Sequence, residues 1–224
     1  MRYISIDIET SGLDPEKNCV LSIGAIIEDT TKKLPYEECP KFNGAILQRE
    51  IFGSPRAITI NKELIGHIGN YLEGDETKRR DIENISGLKF FEKEEIIPAF
   101  FDFLYENCID EKYETPRISE TVRVINGKTY PIIGSKTRAI KINVAGKNFG
   151  TFDKLFLQEL PWWKKLVIPR QRIIDPAILC CKFDEDDTLP SLNQCKERLG
   201  IRGEVTHNAL EDAWDVIQVL RNFY

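Results

Sequence analysis

Residues 3–15, YISIDIETSGLDP, set isoleucines at positions 4, 6 and 8 against Ser5, Asp7 and Glu9 at the alternate positions. Side chains alternate across a β-strand, so an extended chain sends the isoleucines to one face and both acids to the other. The next stretch, SGLDPEKN, is rich in turn residues, and residues 20–28 (VLSIGAIIE) read as a second strand. A chain that begins this way starts a sheet with an apolar face. It must also find a use for two carboxylates about 7 Å apart on the opposite face.

Residues 42–49 continue as a third strand, and three strands with short connections predict an antiparallel meander. Residues 54–72, SPRAITINKELIGHIGNYL, then read as a helix with a serine N-cap and proline at the first helical position. EKEEIIPAFFDFLYENC is a second amphipathic helix. In ETVRVINGKTYPIIG, Asn126-Gly127 is a strong signal for a hairpin turn, flanked by strand-like residues. From there strand and helix alternate: IKINVAG a strand, TFDKLFLQEL a helix, and RIIDPAIL a short strand leading onward. LPSLNQCKERLG and HNALEDAWDVIQVLRNFY are the last two helices. The expected fold is α/β, a mixed sheet whose first three strands are antiparallel and whose later ones are parallel, flanked by helices. No repeat or low-complexity linker divides the 224 residues, so one domain over 1–224 is expected, with a basic hairpin arm inserted at about 112–139.

The formal net charge of −5 hides an asymmetry. Between Arg117 and Arg172 there are twelve Lys/Arg and three acids, +9, which leaves −14 for the rest. The basic segment is either a solvated face or a phosphate track. No run approaches the ~18 apolar residues of a membrane span, and the N-terminus enters the first strand without a signal-peptide pattern. The six cysteines show no CxxC pair, which favours reduced thiols in a cytoplasmic protein over a zinc site built from Cys180, Cys181, Cys195 and His207.

A divalent cation between Asp7 and Glu9 would turn their repulsion into ligation, and a cation needs further oxygen ligands. One candidate is Asp153, which follows the loop GKNFGT and starts an otherwise apolar helix, although helix-start aspartates are common. Another is Asp212. In the last helix Ala209, Ala213, Val216, Ile217 and Leu220 form the stripe that faces inward, and Asp212 sits beside it, where a carboxylate is costly unless paired. Glu211 and Asp215 are free to face solvent. His207, one of only two histidines, falls at the entrance of that helix and also reads as a cap.

Asp7-Ile8-Glu9-Thr10, then Asp153 behind an asparagine-bearing loop, then His207 with Asp212, resemble the DEDDh 3′–5′ exonucleases of the DnaQ-like group, which has an RNase H-like fold. The other subgroup carries a tyrosine four residues before the last aspartate; here Asn208 stands there and His207 precedes it. The resemblance implies that Asp7, Glu9, Asp153 and Asp212 hold two Mg²⁺ or Mn²⁺ ions for phosphodiester hydrolysis. It also implies that His207 is the general base; an ordinary imidazole pKa of about 6.5 suits that task. The loop after the first strand then covers the 3′ end, with Thr10 and Ser11 as contacts and Leu13 as an apolar wedge against the last nucleotide. SPRAITIN resembles a stretch that approaches the terminal nucleotide in relatives, making Asn61 a base or sugar contact.

Asn148 lies five residues before Asp153, behind Lys147, whereas proofreading members place His-Asn closer to the aspartate. The longer spacing is similar to oligoribonuclease-type members, and Asn148 is carried as a substrate contact. In PWWKKLVIPRQR, Trp162 and Trp163 sit among four cations, a pattern that serves single-stranded nucleic acid or burial of at least one indole. The run DEDD at 184–187 reads as a solvated loop. The expected activity is metal-dependent 3′–5′ removal of nucleoside 5′-monophosphates from single-stranded DNA or RNA, with no membrane partner and a homodimer left open. An oligoribonuclease-like enzyme for short RNA, a non-cleaving nucleic-acid-binding module and a small-nucleotide phosphodiesterase are the alternatives.

Overall fold

The computed structural model describes residues 1–108, 122–125, 128–131 and 139–224. Three strands open the chain, β1 (Arg2–Thr10), β2 (Val20–Asp29) and β3 (Lys41–Ile46), and they pair antiparallel in sequence order. Three helices follow: α1 (Pro55–Ile60), α2 (Lys62–Glu73) and α3 (Glu76–Ser86). Next come the edge strand β4 (Lys89–Phe91) and the helix α4 (Ile96–Cys108). Strands β5 (Val122–Ile125) and β6 (Lys128–Pro131) pair antiparallel with each other, closing from Ile125 opposite Lys128. The Asn126-Gly127 turn and the rest of the expected arm, including most of its cations, lie outside the described residues.

The second half contains β7 (Ile140–Ile142), β8 (Val144–Ala145), α5 (Asp153–Gln158), α6 (Trp163–Leu166) and β9 (Val167–Pro169). It ends with α7 (Pro176–Cys180), α8 (Leu192–Arg198) and α9 (Ala209–Leu220). The central sheet has the order β4-β3-β2-β1-β8, with β4 parallel to β3 and β8 parallel to β1. This is the expected mixed sheet, antiparallel first and parallel afterwards.

β1 lies between β2 and β8, and core clusters cover both of its faces. Ile4, Ile6 and Ile8 join Phe100, Leu104, Phe149, Phe156 and Trp163 in one core, each isoleucine worth about 1.5–3 kcal/mol of burial. On the other side Tyr3 packs with Ala213, Val216, Ile217 and Leu220 of α9, so the face that carries the acids lies under that helix. Trp163 is fully buried and stacks on Phe100 with centroids 6.0 Å apart, while Trp162 is half-buried with Lys165 Nζ 5.1 Å from its ring centroid.

The structure corrects several local expectations. The run 54–72 is two helices, because Asn61 ends the first: its Nδ2 donates to Ala57 O, back along the chain, and to Thr10 O at the end of β1, each at 3.2 Å. IKINVAG is split at Asn143, with β7 pairing to β9 and β8 to β1. The sequence reading placed no element at α3 or β4. In α3 the N-cap Asp75 accepts from Lys78 N and Gly87 closes the helix at φ 66°. The run 184–187 is a solvated loop as expected except at Asp186, which accepts from both guanidinium nitrogens of Arg198 and from Lys182 N, bonds that hold its carboxyl below the usual range. Cys39, Cys180 and Cys195 are buried free thiols, and burial next to Cys180 pushes Cys195 up to about 12. Among the described residues no helix is long and apolar enough to cross a membrane.

Candidate metal centre

Asp7 and Glu9 leave β1 on its α9 side. Glu9 lies opposite Ser22, and Thr10 pairs with Val20, so Leu21 is an extra residue in β2. A bulge of this kind re-aims the end of a ladder, here at the last turn before the loop of residues 11–19. The residue opposite Asp7 is Gly24. A Cβ on Gly24 would lie 2.2 Å from Ala209 C and Leu210 N, so the missing side chain is what lets the first turn of α9 rest on the sheet. The Asn208 side chain caps that turn, accepting from Leu210 N and Glu211 N.

Asp212 is thereby delivered beside Asp7. One carboxylate oxygen each from Asp7, Glu9 and Asp212 lie within 4.8 Å of one another. Asp153 is the first residue of α5, reached through a tight loop in which Asn148 O accepts from Thr151 N and Phe152 N. It stands outside that three-oxygen group, yet its charge is the largest effect after burial in raising Asp7.

All four acids are held well above the ordinary carboxylate range. Burial is the first cause in each case. Asp153, Asp212 and Glu9 add to it for Asp7. Glu9 is pushed up to about 8 by burial and the charge of Asp212, against a lowering bond from Asn61. Asp153 and Asp212 rise to about 7, held back by backbone N–H groups of Asp153 and Ile8 in one case and of Thr206 in the other. Among the described residues no cation counters the charge of Asp7, Glu9 or Asp153, and Lys196 acts on Asp212 as the smallest of its influences. Converging hard oxygen donors of one sign, with only Lys196 among the described cations acting on them, form a donor set that fits a hard divalent cation.

His207 is exposed in the loop before α9, with the left-handed backbone φ of 56°. It lines a cleft of about 350 Å³ together with Glu9, Asn61 and Asn208; His67 of α2 lines it too, so both histidines of the chain share one cleft. Asn61 is 4% exposed and its Oδ1 has no partner among the described residues. Thr10 is buried, its hydroxyl donating to Gly12 O at 2.7 Å. Ser11 is fully buried and its hydroxyl donates to Phe52 O, which ties the loop after β1 to the chain before α1. Leu13, by contrast, is 82% exposed, a free apolar side chain on that loop. Asn148 is exposed at φ 60°, its N–H on Asp175 Oδ2 at 3.0 Å and its Oδ1 accepting from Lys147 Nζ.

Three contributors escape the sequence reading. Asp175 caps α7 and holds the Asn148 backbone; the Asp-Pro pair at 175–176 was a legible helix-start signal. Gly24 is the lone glycine of β2, and an isolated strand glycine marks a close approach. Asp215, expected to face solvent, is buried and paired with Lys196 at 2.5 Å; spacing along α9 carried no signal of a partner on α8.

No family model matches the sequence and no curated protein matches it. Solved structures do. Exonuclease I from Methylocaldum szegediense superposes with a TM-score of 0.53 at 14% identity, over 98% of this chain and 39% of that one. E. coli Exonuclease I in complex with a dT13 oligonucleotide gives 0.52 at 14%, over 99% and 40%. A zinc-bound form of the E. coli enzyme with single-stranded DNA gives 0.51 at 14%, over 98% and 39%. The chain therefore spans about two fifths of the length of these proteins, and what it shares with them is the fold.

Proposed function

We propose that this chain is a metal-dependent 3′–5′ exonuclease domain of the DnaQ-like DEDDh type, acting on single-stranded DNA or RNA. The observation that carries the reading is the convergence of Asp7, Glu9 and Asp212 oxygens within 4.8 Å, with Asp153 beside them, on the fold of exonucleases solved with single strands. Asp7, Glu9, Asp153 and Asp212 would hold divalent cations. Such ions supply Lewis-acid activation of the phosphodiester and of the attacking water, and stabilise the leaving oxygen.

The chain's own groups do the rest. The four carboxylates give up their raised proton affinity when a cation is present, so they are ionised ligands at neutral pH. His207, exposed at the rim of the cleft that contains Glu9, takes the water's proton at an imidazole nitrogen. Leu13 wedges against the terminal nucleotide, and the buried Thr10–Ser11 segment fixes the loop that carries it. Asn61 closes the other wall, tying the α1–α2 break to the end of β1. One water and one phosphodiester yield a nucleoside 5′-monophosphate and a strand shortened by one residue with a new 3′ hydroxyl.

The test uses DNA and RNA oligonucleotides labelled at the 5′ end, with Mg²⁺ or Mn²⁺ and an EDTA control. A ladder shrinking from the 3′ end, absent with EDTA and with Asp7→Ala, is the expected result, and the faster ladder identifies the sugar. Binding without cleavage of either strand overturns the reading.

A further inference from the structure

The exonuclease reading needs Asp212 and His207 to arrive together, and Lys196 meets the connection that brings them at its start and near its middle. Lys196 lies in the last turn of α8, only 3% exposed, with its Nζ 2.5 Å from Oδ2 of Asp215, itself 8% exposed. Asp215 stands three residues beyond Asp212 on α9, about one helical turn. The Lys196 carbonyl accepts from Leu199 N at 3.2 Å and from Ile201 N at 2.9 Å, where the chain leaves α8. A Cβ on Gly203, midway along the connection at φ 91°, would lie 4.0 Å from Lys196 Nζ. The far end is held by Val205 N on Asn193 Oδ1 at 2.8 Å and by Thr206 N on Asp212 Oδ1 at 3.3 Å, and His207 follows.

We propose that Lys196, through its ion pair with Asp215, is a positioning residue that sets the 199–208 loop and with it His207. Stability alone gives little reason for an ammonium here, because buried pairs are commonly replaced by apolar residues without loss. Geometry gives a reason. An ion pair holds α8 at one height along α9, whereas sliding apolar contacts leave that height free, and the span between Lys196 and Asp215 is the one the loop must bridge. The inference deepens the exonuclease reading and rests on it for its catalytic part.

The test pairs Lys196→Met/Asp215→Leu with the milder Asp215→Asn, each alone and combined with His207→Ala. Amide hydrogen exchange over residues 199–208 is expected to speed up at least about tenfold while β1 exchange is unchanged. Single-turnover cleavage is expected to slow about 10- to 100-fold, with Mn²⁺ affinity by calorimetry retained, as an ångström-scale misplacement implies. The decisive readout is the cycle with His207→Ala. If Lys196 acts through His207, the combined variants are no slower than His207→Ala alone. Multiplying effects, or wild-type cleavage in a folded Lys196→Met/Asp215→Leu protein, overturn the proposal. Should the doubly substituted protein not fold, Asp215→Asn carries the same cycle. A wild type that does not cleave refutes the exonuclease reading, and the exchange arm still decides the anchoring.

Discussion

Gly24→Ala is the substitution most diagnostic of how the site is assembled. The added Cβ would stand 2.2 Å from Ala209 C and Leu210 N and 2.4 Å from Ala209 O, against an ordinary contact of 3.4–4 Å. The obstructing atoms are helix backbone, so no rotamer change relieves them, and the first turn of α9 must lift by about 1.2 Å, the shortfall from 3.4 Å. Overpacking of this kind costs about 1–3 kcal/mol of stability. The lift falls on the turn that carries Asp212, while Asp7 and Glu9 stay on β1, so the three-oxygen group opens. An ångström of misplacement costs about 100-fold in turnover. The assay is urea unfolding beside single-turnover cleavage and Mn²⁺ calorimetry. Gly66→Ala is the control: it meets nothing within 4 Å on α2, and should raise stability by about 0.5–1 kcal/mol with cleavage unchanged. A Gly24→Ala protein with wild-type Mn²⁺ affinity and turnover would refute the claim that this glycine seats the helix that delivers Asp212.

Asp7→Asn should abolish metal-dependent cleavage yet raise the melting temperature of the metal-free protein, because burial and three like charges already oppose ionisation at that position; a lower melting temperature without metal would contradict this. Metal-free stability should fall as pH rises from about 4 to about 8. Glu9, Asp153 and Asp212 have folded-state pKa values above their ordinary ones, so the native state retains protons that the unfolded chain releases, and stability is full at low pH and lost as pH passes about 7 to 8. Saturating Mn²⁺ should flatten that slope, and urea midpoints across the range measure both. Leu13→Ala should leave stability within about 0.5 kcal/mol, since the side chain is 82% exposed, and raise KM for oligonucleotides about 3- to 10-fold; an unchanged KM removes the wedge role.

The sheet was legible because its signals are local. Alternation of isoleucine and acid across residues 4–9 predicted the faces of β1, and α9 showed its inward stripe at helical spacing with Asp212 beside it; that Asp212 joins Asp7 was implied only by the family resemblance. What stayed hidden depends on partners distant in sequence. Asn61 ends a helix because Thr10 O is within reach of its amide, and Asp215 is buried because α8 presents Lys196. Nothing within a window of a few residues announces either. α3 was missed for a different reason: TKRRDIENIS buries no residue, so it has little apolar pattern to read, and its caps at Asp75 and Gly87 were the available signal.

The seating of α9 across β1 and β2 also sets a schedule for biosynthesis. Glu9 precedes Asp212 by 203 residues, so a growing chain holds β1 and β2 long before it holds the helix that completes the cluster. Closing a loop that long adds only modestly to the entropic cost, since each doubling of length adds about 0.6 kcal/mol. The order of events is nonetheless constrained. A nascent chain carries two unassembled acids and an incomplete cluster until α9 docks.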